Sequence, residues 1–195
     1  MFNYEEAFSR NIGWVTKEEQ QKLRNTKVAI GGLGGVGGDH TIVLARLGIG
    51  NFHISDLDEY DVANFNRQAG ANMSTLGQPK AAVMEDTIRG INPEATIKNF
   101  DSGINEQNLD DFLEGVDIYV DSLDIFVLEI RRKVFRRCYE KGIPTITAAP
   151  MGMGTAFLVF MPGKMSFDEY FAIVDAAANA SEEEKAQIFN DNIIR

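Results

Sequence analysis

A chain of 195 residues, 44% hydrophobic and 25% charged, buries one sizeable core, not two full-sized ones, and its composition excludes extended disorder. The formal net charge of −10 disfavours nucleic acid and anionic membrane surfaces as partners. The single cysteine, Cys138, leaves no intrachain disulfide and no cysteine-based zinc site within one chain.

Residues 1–11 mix Glu5, Glu6 and Arg10 with Phe2, Tyr4 and Phe8, so no apolar signal core is present, and no uncharged stretch reaches membrane-spanning length. A cytoplasmic, reducing location is expected. Residues 27–32 form a short apolar, β-branched run stopped by glycines, which predicts a buried strand. Ile42, Val43, Ala45, Leu47 and Ile49 then fit a helix ending at residues 48–50, where glycine is the favoured terminator.

A second strand is predicted over residues 52–55, closing on the acidic cluster Asp56, Asp58, Glu59 and Asp61. Residues 77–91 read as a helix with Pro79 near its start and Pro93 beyond its end. A strand over 95–100, a short helix over 109–113 and a strand over 116–120 follow. Val127, Ile130, Val134, Phe135 and Cys138 share one face of a helix over 126–139, stopped by Gly142 and Pro144. Its basic residues Arg131, Arg132, Lys133, Arg136 and Arg137 are expected on the solvated face. Strands over 143–148 and 155–160 complete the pattern, and an acidic tail over 166–194 is expected to be helical around 182–189.

Strands alternating with helices predict an α/β fold: a doubly wound, mainly parallel Rossmann-type sheet covered on both faces, with an acidic helical C-terminal extension. The expected division is a nucleotide-binding domain over 1–162 and, over 163–195, an acidic extension or the start of a further region.

Gly32, Gly34, Gly35 and Gly37 stand in a glycine loop of G-x-G-x-x-G spacing between a predicted strand and a predicted helix. Such a loop turns tightly and lets backbone N–H groups and the helix N-terminus approach a phosphate. Asp56, at the end of the second strand, is placed to accept hydrogen bonds from ribose hydroxyls and disfavours a 2′-phosphate. These features leave NAD and ATP both open.

Beyond them come Asp56-Leu57-Asp58, then Asn64-Phe65-Asn66-Arg67-Gln68, then Gly77-Gln78-Pro79-Lys80. This ordered series resembles the ThiF/MoeB/HesA superfamily, the bacterial relatives of the ubiquitin-activating enzymes, over about residues 10–160. The resemblance implies that the glycine loop, Asp56 and Asp58 hold ATP, while Asn64, Arg67 and Lys80 contact its triphosphate. It implies that Asp124 supports Mg²⁺, and that Arg10 reaches the neighbour's ATP site across a homodimer interface. The activity implied is adenylation of a carboxylate, from a ubiquitin-like sulfur carrier or a small acid, with release of pyrophosphate. Arg10, Arg67, Lys80 and Asp124 would stabilise the charge that develops.

Two departures from the family pattern narrow this. The C-x-x-C pairs that bind zinc in many relatives are missing, so no zinc is expected, and Cys138 on an apolar helix face reads as a small hydrophobe rather than a nucleophile. His40 and His53 are expected to be structural. A non-catalytic dimerisation module and a nicotinamide-dependent oxidoreductase remain the alternative readings.

Overall fold

The computed structural model describes residues 1–173 together with residues 181, 184, 187 and 191. Six strands form one sheet: β1 (Lys27–Gly31), β2 (Asn51–Ser55), β3 (Thr96–Phe100), β4 (Ile118–Asp121), β5 (Thr145–Met151) and β6 (Gly154–Phe160). Their order is β3-β2-β1-β4-β5-β6. The first five run parallel, and β6 folds back antiparallel on β5. The longer helices are α3 (Gly35–Leu47), α4 (Lys80–Ile91) and α6 (Leu128–Lys141). Short ones are α1 (Tyr4–Ala7), α2 (Lys17–Asn25), α5 (Leu109–Phe112) and α7 (Phe167–Tyr170).

Strand alternation sorts the core onto two faces. Val28 and Ile30 of β1 join Phe52 and Ile54 of β2 in a cluster with Ala45 of α3 and Ala81, Met84 and Ile88 of α4. Ala29, one residue out of phase, packs on the opposite face with Tyr119, Phe112, Val134 and Phe135. Parallel register places Ile30 between Ile54 and Val120. Burying each such side chain stabilises the fold by about 1.5–3 kcal/mol.

Coverage is not complete at the β6 edge, where Phe157 and Val159 are 61% and 48% exposed. Both lie on the face that α3 and α4 cover further in, and neither helix extends to that edge among the described residues. Phe167, Phe171 and Ile173, after β6, belong to the core cluster beneath α6. The helix expected around 182–189 lies largely outside the described residues. Among the described residues, no helix is long and apolar enough to cross a membrane.

The basic residues of α6 do not form a simple solvated face. Arg131 is 5% exposed and bonded to Asp121 at the end of β4. Arg132 and Arg136 both grip Asp168, Lys133 pairs with Glu106, and Arg137 pairs with Asp110 and Glu140. Each cation of the series has an acidic neighbour from another element, which the helical period of α6 alone does not reveal.

Candidate functional site

A crevice of about 680 Å³ opens outside the C-terminal ends of β1, β2, β4 and β5. Strand order reverses between β2-β1 and β4-β5, which makes this the topological switch point of the sheet, where ligands of open α/β folds bind. The glycine loop enters it fastened on both sides. The Gly32 N–H donates to Ser55 O at 2.9 Å, and the Ser122 N–H donates to Gly31 O at 2.8 Å.

Close approach explains Gly37: a Cβ there would stand 1.8 Å from the Gly32 carbonyl oxygen. Only a bare backbone lets the first turn of α3 fold against the loop and aim its N-terminus into the crevice. At the other end of α3, Gly48 has φ +92° and closes the helix, with its N–H on Ala45 O and the Ile49 N–H on Leu44 O.

Asp56 binds the loop as well as facing the crevice. Its Oδ2 accepts from the Leu33 N–H at 2.7 Å and its Oδ1 from the Asp58 N–H at 2.8 Å. A carboxylate offers about four lone-pair positions, so these two bonds orient Asp56 and leave capacity for a ligand hydroxyl. Asn64 ends a 3-10 turn, accepting from the Asp61 N–H at 3.0 Å, and Arg67 follows on the same bend. The exposed Arg67 donates to Ala63 O and Asn66 Oδ1, with its stem lying along Gly35.

Lys80 opens α4 and is 6% exposed, its ammonium 3.0 Å from Asp58 Oδ2. Backbone bonds join the two segments: Lys80 N–H to Asp58 O, Tyr60 N–H to Gln78 O and Gly77 N–H to Tyr60 O. These ties, with Pro79 at the N-cap, start α4 at Lys80 rather than at the expected residue 77. Asp124 is exposed at the crevice rim, where its Oδ1 accepts from the Phe126 N–H and caps a 3-10 turn, Ile125–Val127. It lines the crevice along with Gly32, Gly34, Gly35, Asp56, Asp58, Asn64, Arg67 and Lys80.

Gly37 sits behind the loop rather than on the crevice wall. Arg10 is exposed in a 3-10 turn, Ser9–Asn11, and does not line the crevice of its own chain. Sequence reasoning passed over Asp121, Arg131 and Thr147, which form a buried polar floor to the crevice. The Arg131 guanidinium meets Asp121 Oδ2 at 2.6 and 3.2 Å and Thr147 Oγ1 at 3.5 Å. Asp121 was legible only as an acid at a strand end, and nothing in α6 marked Arg131 as its partner.

His53 is buried, and its Nδ1–H donates to the Phe112 carbonyl at 2.7 Å. Burial lowers its pKa, against the pull of that hydrogen bond. It stands apart from the crevice, as does His40.

Cys138 is fully buried, and burial pushes its thiol up to about 12, with a hydrogen bond involving Thr145 acting in the opposite direction. At neutral pH it holds on the order of 10³ less thiolate than an ordinary thiol of pKa about 8.5. Alkylation of the native protein by iodoacetamide at pH 7.5 is therefore expected to be at least about a hundredfold slower than of the urea-unfolded chain. Equal rates would show Cys138 to be reachable and reactive.

Comparison with known proteins adds three relatives and a family. A family model described as the ThiF family matches residues 8–190. The tRNA threonylcarbamoyladenosine dehydratase of Bacillus subtilis is 36% identical over 142 residues, 72% of this chain and 55% of that protein. The molybdopterin-synthase adenylyltransferase of Salmonella typhimurium is 30% identical over 143 residues, 73% of this chain and 57% of that protein. The Escherichia coli tRNA N6-threonylcarbamoyladenosine dehydratase, solved in complex with ATP, superposes with a TM-score of 0.70 at 28% identity, over 73% of this chain and 58% of that one. The aligned region thus spans a little over half the length of these relatives.

Proposed function

Because this chain belongs to the ThiF family, we propose that its crevice binds ATP and that it activates a carboxylate by adenylation, an adenylyltransferase activity. What carries the reading is the convergence on one crevice of a glycine loop, an oriented Asp56, two cations and an exposed Asp124. ATP in complex with a relative of the same fold supports it.

In this reading, a carboxylate oxygen of the substrate attacks the α-phosphorus, the bond to the bridging α,β-oxygen breaks, and pyrophosphate leaves with the electron pair. A carboxylate is ionised at neutral pH and needs no general base. The protein's task is alignment and charge stabilisation. The glycine loop and α3 N-terminus hold phosphate, Asp56 and Asp58 order the nucleoside side of the loop, Asn64 borders the phosphates, and Arg67 and Lys80 neutralise charge moving onto pyrophosphate.

Mg²⁺ suits a site with one exposed carboxylate, because that ion keeps waters and takes most other ligands from substrate phosphates. Asp124 would hold it, where it would supply further charge neutralisation. Arg10 is assigned to a neighbouring protomer's site in a homodimer, which accords with its exposure away from its own crevice. Residues 1–162 would constitute the adenylation domain and residues 163–195 an extension to it.

The acceptor is inferred to be a small acid or the C-terminus of a ubiquitin-like carrier. A tRNA acceptor, named for the Bacillus relative, finds less support here, since the net charge is −10 and the cations of α6 are paired with acids. The decisive assay is acceptor-dependent exchange of labelled pyrophosphate into ATP. If a protein shown to bind ATP gives no exchange with a panel of carriers, small acids and tRNA, the adenylation reading fails.

A further inference from the structure

The crevice residues assigned to the nucleotide belong to β1, β2 and the segments that follow them, on one side of β4 in the sheet order. The crevice continues past β4, where its walls come from β5, β6, α6 and the end of α7. That far half is apolar. Ile130 of α6, Ala156 and Leu158 of β6, Tyr170 of α7 and the adjoining Phe171 all line it. Besides Asp124 at the rim, the charges among its described lining residues are Asp121 and Arg131, which neutralise each other at 2.6 Å. An acceptor carrying a second charge would be desolvated there without a counter-ion.

The backbone of β5 restricts the acceptor further. β4 pairs with β5 only from Tyr119 and Thr145 to Asp121 and Thr147, whereas β5 runs on to Met151. Residues 148–151 therefore overhang β4 with an open edge toward the crevice, which Ala148, Ala149 and Pro150 line. The Tyr119 N–H donates to Pro144 O at 3.0 Å, so even-numbered residues of β5 direct their backbone groups toward β4. On the overhang these are Ala148 and Pro150, and proline has no N–H. The edge offers the Ala148 N–H, enough for one carboxylate oxygen. An extended peptide tail laid along it as an added strand would find its next donor missing.

We propose that the acceptor is a small monocarboxylic acid with an uncharged, apolar body, seated in the half of the crevice beyond β4. The inference rests on the adenylation reading above and selects within it, against a carrier tail.

Pyrophosphate exchange into ATP tests it, with acetate, butanoate, hexanoate, adipate, 6-aminohexanoate, a ubiquitin-like carrier ending in Gly-Gly, and bulk tRNA as acceptors. Each methylene moved onto an apolar wall is worth about a three- to fourfold gain, so kcat/KM is expected to rise roughly a hundredfold from acetate to hexanoate. Adipate and 6-aminohexanoate keep the length of hexanoate and add a charge, and are expected to fall about a hundredfold or more below it. Ala156→Phe fills part of the far wall and is expected to shrink the hexanoate-to-acetate ratio at least about tenfold. Tyr170→Ala removes wall instead, at a half-exposed position, and is expected to lower the same ratio.

A flat acid series, or charged analogues that match hexanoate, would overturn the proposal. So would exchange supported by the carrier or tRNA and by none of the acids, which would leave adenylation standing. A ratio unchanged in both variants would place the acid elsewhere and overturn it too. A protein that binds ATP and exchanges with none of these acceptors would instead sink the adenylation reading, and this inference with it.

Discussion

Replacing Arg131 by Met is expected to destabilise the protein by about 3–5 kcal/mol, the usual cost of stranding one partner of a buried ion pair. Asp121 is fully buried and Arg131 5% exposed, and they meet at 2.6 Å. Without the guanidinium, the Asp121 carboxylate keeps the Tyr119 hydroxyl at 3.3 Å, a single neutral donor for a buried charge. The charge must then take up a proton or admit water through the floor of the crevice. Adding Asp121→Asn to Arg131→Met removes that charge and is expected to restore much of the loss. Urea unfolding at pH 7 measures both variants. A loss below about 1 kcal/mol in the single variant would mean that Asp121 is already solvated or neutral.

Replacing Lys80 by Met is expected to lower pyrophosphate exchange by on the order of 10²–10³, the scale for losing one preorganised group that stabilises transition-state charge. Asp124→Ala is expected to act on the same scale. Lys80 is the sharper probe because its ammonium is pinned by Asp58 in a nearly buried position, so its charge is in place before substrate arrives. Asp58→Asn frees the ammonium without deleting it, and a smaller loss is expected than for Lys80→Met. If the Lys80→Met protein, folded by circular dichroism, keeps exchange within threefold of wild type, Lys80 is not part of the chemistry.

Strand and helix order was readable because the apolar periods are strong and the stops are physical. Gly48 and Gly142, at φ +92° and +75°, end α3 and α6 where a left-handed residue is required. The starts of helices were read less well. Asp124 caps a 3-10 turn, so α6 begins at Leu128 and leaves Phe126 79% exposed outside it. Among the described residues three short helices went unread, α1, α2 and α7, yet the last two open on a capping box: Thr16 with Glu19 and Ser166 with Glu169. Their apolar faces are too brief to show a period, whereas the S/T-x-x-E signal survives at that length.

The residues named for the site were legible as an ordered series, and the crevice gathers the loop face, Asp56, Asp58, Asn64, Arg67, Lys80 and Asp124. What stayed hidden depends on long-range pairing. Nothing local tells Arg131 that Asp121, ten positions earlier, will lie beneath it.

The N-terminal segment is moored to the far end of α3. Tyr4 Oη donates to Gly48 O at 2.5 Å, and Asn11 Nδ2 and Gln20 Nε2 each donate to Leu47 O at 3.0 Å. One helix therefore presents its amide end to the crevice and uses its carbonyl end to hold the turn that carries Arg10. Were a nucleotide in the crevice to tighten the Arg10 turn through α3, reciprocity would require a neighbour gripping that turn to raise nucleotide affinity by the same factor.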